Sequence, residues 1–340
     1  MENKTKQIVF VKSKVAELQE FDIVEPKDNE AVVKLDYSAI SSGTEKANLI
    51  GLKSDATPPK EGESAVFPSY LGYSGAGTIV KVGSKVTGIQ VGDRVAVYGG
   101  KHRRFGTYNE KWFVKIPDGV SAQEAAFSYI STFSLAALRK TKVEFGESVV
   151  VMGLGLLGQF ACKFAHAMGA YPVIAVDIVE ERRNDALRFG ADYAISPLDD
   201  EYANKIKEWT NGGAKVGIEV TGVGKGLEQI LDCMAPFGRV ALLGCTRNSD
   251  FSIDFYHKVH MVGVTLVGAH TLARPEQSYP NYWTYVDDIK AVLNALKGGR
   301  ISFKDMIKEI HTPEECTEVY KRLAEEKNFP IGVLFDWTKE

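Results

Sequence analysis

Three glycines at fixed spacing, with an acid about 20 residues further on, are the residues of this chain that most plainly could do chemistry. Val149-Val150-Val151-Met152-Gly153-Leu154-Gly155-Leu156-Leu157-Gly158 is a β-branched run that breaks into a glycine turn and opens a helical segment. Val173-Ile174-Ala175-Val176-Asp177 is a second apolar run that ends on the acid. Gly153 permits a sharp turn, Gly155 lets the backbone approach a pyrophosphate, and Gly158 lets the helix pack closely on the strand. The free N–H groups at the helix start, at Leu156 and Leu157, then meet the diphosphate together with the positive end of the helix dipole. The pattern predicts a dinucleotide site.

Asp177 selects among dinucleotides. A carboxylate at the end of the second strand accepts hydrogen bonds from ribose hydroxyls and repels a 2′-phosphate, so NAD(H) is the expected cofactor. Arg182 and Arg183 lie near enough in sequence to pair with such a phosphate, but the acid remains.

The elements that must hold this turn follow from the texture of the chain. Residues from about 7 to 118 carry short β-rich runs between Gly, Pro and Asn turns, as in Ala31-Val32-Val33-Lys34-Leu35 and Asp93-Arg94-Val95-Ala96-Val97. From about 121, helix and strand alternate, with apolar strands at 148–152, 173–177, 215–220, 239–243 and 264–268 and a helix near 285–297. The predicted fold class is α/β. A β-rich domain over 1–120, completed by 300–340, precedes a doubly wound parallel-sheet domain over 121–299. In such sheets the ligand lies beyond the carboxyl ends of the strands. The segments Glu219-Val220-Thr221-Gly222, Leu243-Gly244-Cys245 and Gly268-Ala269-His270 are therefore candidate nicotinamide contacts, with plain strand-end turns as the alternative.

Composition narrows the function classes. A chain of 340 residues with a formal charge of −3 and mixed charge signs gives no sign of a nucleic-acid partner. No signal-peptide pattern and no apolar run of membrane-spanning length is visible, so the expected location is cytoplasmic, with no membrane partner. The four cysteines, Cys162, Cys233, Cys245 and Cys316, are scattered singly and read as buried thiols of a reducing compartment. His257 and His260 stand three apart and read as part of a helix surface rather than a metal site.

Two further motifs carry a resemblance. Gly72-Tyr73-Ser74-Gly75-Ala76-Gly77-Thr78-Ile79-Val80-Lys81-Val82-Gly83, followed by Val91-Gly92-Asp93-Arg94-Val95, resembles the signature of the medium-chain dehydrogenase/reductase superfamily. The likeness spans nearly the whole chain and is nearest to the polyol and threonine dehydrogenase branch, including the zinc-free relatives described as bacteriochlorophyllide-dehydrogenase-like. It implies that the β-rich domain is GroES-like, that the parallel-sheet domain is a Rossmann domain, and that the protein is a homodimer or homotetramer joined through the edges of its coenzyme-domain sheets.

The departures from that family's pattern bear on mechanism. The cysteine of the zinc-dependent members falls here on Ser42, the histidine on Tyr73, the glutamate beside it on Ser74, and the third ligand on Tyr129. The lobe that normally supplies four cysteines is replaced by Gly99-Gly100-Lys101-His102-Arg103-Arg104-Phe105-Gly106, which has none. Hydroxyls are poor zinc ligands, so neither a catalytic nor a structural zinc is expected. By the resemblance, Thr44 hydrogen-bonds the substrate oxygen, and Tyr73 or Tyr129 acts as acid, base or oxygen-stabilising donor in the space a metal would fill. The alternative is that these tyrosines only fill that space. Glu45 is expected to orient Tyr73 or a lysine, or to be solvated; His270 donates to substrate or is packed at a strand end. The Lys101–Arg104 run reads as a solvated loop or subunit contact, or as a receiver of an anionic substrate. Tyr279, Tyr282, Trp283 and Tyr285 stack on a sugar or cyclitol ring, or cap a helix.

The expected activity is zinc-independent hydride transfer between NAD(H) and the alcohol or ketone of a polar small molecule of polyol, sugar or cyclitol type. A zinc-free enoyl or quinone reductase and a non-catalytic dinucleotide-binding protein are the alternatives.

Overall fold

The computed structural model describes residues 3–52, 67–246, 251–279 and 282–339, and the chain divides into two units, Met1–Ile130 with Ile289–Glu340, and Ser131–Asp288. The boundaries fall inside two helices, Ser128–Lys140 and Tyr285–Lys297.

The first unit is the β-rich one. Its elements are β1 (Lys4–Lys12), β2 (Val15–Asp22), β3 (Glu30–Ala39), α1 (Ser42–Leu49), β4 (Ser74–Val82), β5 (Arg94–Tyr98), β6 (Phe105–Asn109), β7 (Phe113–Lys115) and α2 (Ala122–Ala126). β1 and β2 form an antiparallel hairpin. The last strand, Val333–Asp336, returns to pair antiparallel with β3, placing the C-terminal run against the N-terminal half of the chain. Around these strands the larger sheet runs Glu309–His311, Val333–Asp336, β3, β4, β5, β7, with β6 also on β3. Its core gathers Ile8, Phe10, Val33, Leu35, Ile79, Val95, Tyr320 and Phe335, all buried. Gly77 shows how tightly β3 and β4 press together: a Cβ there would come 2.2 Å from Lys34 O.

The second unit is a parallel sheet. In chain order its elements are α3 (Ser128–Lys140, shared with the first unit), β8 (Val149–Met152), α4 (Leu156–Ala167), β9 (Val173–Val176), α5 (Glu180–Arg188), β10 (Tyr193–Ile195), α6 (Tyr202–Trp209), β11 (Ala214–Glu219), α7 (Gly224–Leu231), β12 (Met234–Leu242), β13 (Thr265–Gly268) and α8 (Tyr285–Lys297, also shared). The strand order β10-β9-β8-β11-β12-β13, parallel throughout, is the Rossmann order, with the switch at β8. Every side chain of β8 and β9 is buried, as expected of central strands covered on both faces.

The first unit extends about ten residues beyond the expected 1–120 and 300–340 at each boundary, and two strands differ from the sequence reading. β10 was not expected: three residues at a sheet edge, two of them only half-buried, leave no apolar run to read. β12 begins at Met234, five residues ahead of the expected start, because Pro236, Phe237 and Gly238 interrupt its apolar pattern.

Candidate active site

In the second unit the glycine turn forms as its residues require. Gly153 has φ +96°, where a side chain would be strained, and its missing Cβ would lie 2.9 Å from Thr221 Cγ2. A Cβ on Gly158 would fall 1.9 Å from Gly153 O, so that position tolerates only hydrogen. Nothing lies within 4 Å of a Cβ at Gly155, the N-cap of α4, so the turn is open at that position, and no side chain caps the helix start. Asp177, just past β9 and 7% exposed, ties the turn to the second strand: Oδ2 accepts from Leu154 N at 2.7 Å and Oδ1 from Val179 N at 2.8 Å. Each carboxylate oxygen keeps a second lone pair for a ribose hydroxyl. Arg182 Nη1 stands 3.9 Å from Asp177 Oδ2, while Arg183 donates to the Asp177 carbonyl at 2.7 Å.

A buried acid organises the next strand ends. Glu219, 1% exposed, accepts from Thr221 N at 2.7 Å, from the Thr221 hydroxyl and from Gly222 N at 3.2 Å. Its carbonyl accepts from Leu243 N at 2.9 Å and Gly244 N at 2.8 Å. Thr221-Gly222 and Leu243-Gly244 are thus held together by one residue, and a Cβ on Gly244 would strike Gly222 N at 2.4 Å. Burial pushes the Glu219 carboxyl above its usual range, against these donors. The sequence reading included Glu219 only as part of a strand-end segment. An acid ending the apolar run Val216-Gly217-Ile218 was the available signal.

The third strand end is looser. Gly268 O accepts from Lys140 Nζ at 3.2 Å, and Ala269 is buried with its N–H on Leu242 O at 3.2 Å. His270 is exposed, its Nδ1 accepting from Leu272 N at 3.2 Å. Cys245 is exposed, which corrects the expectation of four buried thiols: it follows the end of β12 on a loop, whereas Cys162, Cys233 and Cys316 are buried. His257 pairs with Asp254 at 2.7 Å, a carboxylate partner the sequence reading overlooked.

In the first unit hydroxyls cluster. Tyr73, just before β4, donates to Ser41 Oγ, and its ring meets that of Tyr129 edge-on at 5.7 Å. Tyr98 lies against Tyr129 at 5.4 Å. Ser41 is the N-cap residue of α1, which also carries half-buried Thr44 and fully buried Glu45. Glu45 is therefore not solvated. It accepts from Ser41 N at 2.9 Å and Tyr320 OH at 2.6 Å, and His102 Nε2 stands 3.2 Å from both its oxygens.

His102 also corrects the reading of its loop as solvated. The backbone at Arg103 forms an antiparallel bridge opposite Gln7 of β1, with Ile8 N on His102 O and Arg104 N on Lys6 O, both at 3.0 Å. Lys101 lies over Tyr70, Arg103 over Phe21 and Arg104 over Phe105, so the cations diverge onto separate rings. The expected aromatic cluster also divides. Tyr279 and Tyr282 stack at 4.7 Å, Trp283 lies under Arg139, and Tyr285 donates to Thr271 O.

Comparison with known proteins places this architecture. Residues 27–129 match the family described as alcohol dehydrogenase GroES-like domain, and residues 157–288 that described as zinc-binding dehydrogenase. L-threonine 3-dehydrogenase of Pyrococcus furiosus is 32% identical over 295 residues, 77% of this chain and 82% of that one. The chain belongs to the medium-chain dehydrogenase/reductase superfamily. D-guloside 3-dehydrogenase of Escherichia coli is 26% identical over 97% of this chain and 100% of its own. 2R,3R-butanediol dehydrogenase of Bacillus subtilis shares the fold, with a TM-score of 0.82 at 21% identity over 98% of this chain and 99% of that one.

Superfamily membership raises the question of zinc, and the residues at the corresponding positions do not fit it. Ser74 Oγ is buried, donating to Ala126 O at 2.6 Å and accepting from Ile130 N at 3.3 Å. Tyr73 is bonded to Ser41, and Ser42 and Tyr129 offer only neutral hydroxyls. Zinc sites are built from thiolate, imidazole and carboxylate. Among the described residues no three His, Cys, Asp or Glu side chains come together to hold a metal ion.

Proposed function

We propose that this chain is a zinc-independent, NAD(H)-dependent alcohol dehydrogenase or ketone reductase acting on a polar hydroxylated small molecule of polyol, sugar or cyclitol type. The observation that carries the reading is the donor set of the first unit: the Tyr73 phenol donates to Ser41 Oγ with the Tyr129 ring edge-on to it, α1 carries Thr44, and by the family resemblance Tyr73 and Tyr129 fall at zinc-ligand positions of the zinc-dependent members. The similarity to proteins named D-guloside 3-dehydrogenase and L-threonine 3-dehydrogenase supports a small secondary alcohol as substrate. An anionic substrate is the less favoured form, because Lys101, Arg103 and Arg104 point onto separate rings.

NAD, when bound, supplies the hydride acceptor or donor at its nicotinamide ring. Leu156, Leu157 and Gly158 N–H groups would hold its diphosphate, Asp177 its ribose, and Thr221, Gly222, Leu243, Gly244, Cys245, Gly268 and Ala269 its nicotinamide end. Thr44 hydrogen-bonds the reacting oxygen, and Tyr73 gives a proton to it in reduction or takes one in oxidation. Tyr129, set edge-on to Tyr73, holds that phenol in place and is the second candidate donor. His270 is assigned a substrate contact from its strand-end position. Coenzyme binding belongs to the Ser131–Asp288 unit and proton handling to the other.

The same reading makes the protein a cytoplasmic homodimer or homotetramer. Its four free cysteines suit a reducing compartment, and edge strand β13 is bordered by exposed Met261 and Leu272, suited to contact with a second copy. No helix of the described residues is long and apolar enough to cross a membrane.

Oxidation of NADH in the presence of pooled ketones, keto-sugars, enones and quinones, repeated with NADPH, tests the proposal. Turnover with keto compounds and a preference for NADH are expected. Turnover with enones or quinones alone, a clear NADPH preference, or NADH binding without any turnover would each overturn it.

A further inference from the structure

His102 braces Tyr73 by three separate routes. Its N–H donates to Leu71 O at 2.7 Å, fixing the strand entry two residues before the tyrosine. Its backbone and ring fill the space where a side chain at Gly72 would stand: a Cβ there would lie 2.1 Å from His102 N and 2.4 Å from its Cγ, at φ +108°. Only glycine lets the chain come so close. Its Nε2 faces Glu45, whose Oε1 holds Ser41 N, and Ser41 Oγ accepts from the Tyr73 phenol.

The cluster continues on the other side of the imidazole. Trp337 Nε1 donates to Ser38 Oγ at 2.9 Å, and that hydroxyl shares a hydrogen bond of 2.7 Å with His102 Nδ1. Nε2 faces the Glu45 carboxyl across 3.2 Å. Tyr320, its phenol pushed well above the usual value by burial and by the Glu45 charge, stays protonated and donates to Glu45 Oε2. Ser41 N–H and Tyr320 O–H donate to Glu45 and His102 Nε2 stands against both its oxygens, so three groups hold this buried side chain in one place within the first turn of α1.

We infer that His102, Glu45 and Ser41 are positioning residues for the Tyr73 phenol, the Ser41 hydroxyl accepting from the phenol and donating to the phenolate once its proton has left. The inference rests on the proposed role of Tyr73 as proton carrier. Among the described residues, the titratable groups near that phenol include Tyr129 from α3, with Tyr98 of β5 behind it, Glu45 from α1 beyond Ser41, and His102 itself.

The test is a pH titration of the full chain labelled with 13C at the tyrosine ring Cζ, the Tyr73 signal being identified by its loss in Tyr73→Phe. Ser41→Ala removes the donor to the phenolate and is expected to raise the Tyr73 midpoint by about one pH unit. His102→Gln is expected to raise it in the same direction; if that variant does not fold, Tyr320→Phe loosens Glu45 from its other side and is read in its place. Midpoints equal to wild type in Ser41→Ala and in the folded second variant would overturn the inference. NADH-dependent turnover of Tyr73→Phe separates the two readings. Full turnover there removes Tyr73 from the reaction, and unmoved midpoints with turnover lost remove only the bracing by His102, Glu45 and Ser41.

Discussion

Glu219 shows what a single buried acid does in the coenzyme unit. Its carboxyl is raised above the usual range chiefly by burial, so between the unfolded value near 4.5 and the folded one the native state holds a proton that the unfolded chain has released. Stability therefore falls as pH rises through that window. Gln at this position keeps an acceptor for Thr221 and Gly222 and carries no charge. In urea denaturation, Glu219→Gln is expected to gain stability relative to wild type from pH 5 to pH 8. A constant difference between the two proteins would contradict the assignment. At this scale the glycine turn was fully legible, because Gly153, Gly155 and Gly158 act through the absence of a side chain, which is a property of the sequence itself. His102 was not legible: nothing in a Lys-His-Arg-Arg run distinguishes one buried imidazole from its partly exposed neighbours.

Between elements, Asp288 in the first turn of α8 joins Arg139 of α3 to Arg274 of the segment after β13. Asp288 and Arg274 are 1% and 3% exposed, and burial lifts the carboxyl while both arginines pull it down. Replacing Arg274 by Met leaves a buried carboxylate with one partner, and about 3 kcal/mol of lost unfolding free energy is expected in a urea titration at pH 7. No measurable loss would show that the pair does not pin these elements. The strands of the parallel sheet were legible where they are central, since β8 and β9 are buried on both faces and read as unbroken apolar runs. The edge strand β10 has neighbours on one side only and left no such run. Arg274 and Asp288 carried no sequence signal either, because an ion pair depends on which loops meet.

Across the whole molecule, the order of elements was legible because each βαβ unit is local in sequence and parallel sheets admit few connections. The hydroxyl and carboxylate cluster is assembled differently. Glu45 meets His102 57 residues away and Tyr320 275 residues away, joined by the return of the C-terminal strand to β3. Spacing along the chain cannot announce such a site; only the departures from the family's zinc ligands hinted at it. Those departures carry the central claim, that phenol and alcohol groups grip the reacting oxygen without a divalent ion. The most direct measurement is NADH-dependent turnover of the purified chain before and after exhaustive chelation, with zinc content determined on the same samples. The account predicts undiminished turnover in protein freed of zinc. Activity that disappears with the metal and returns on adding one zinc per chain would contradict it.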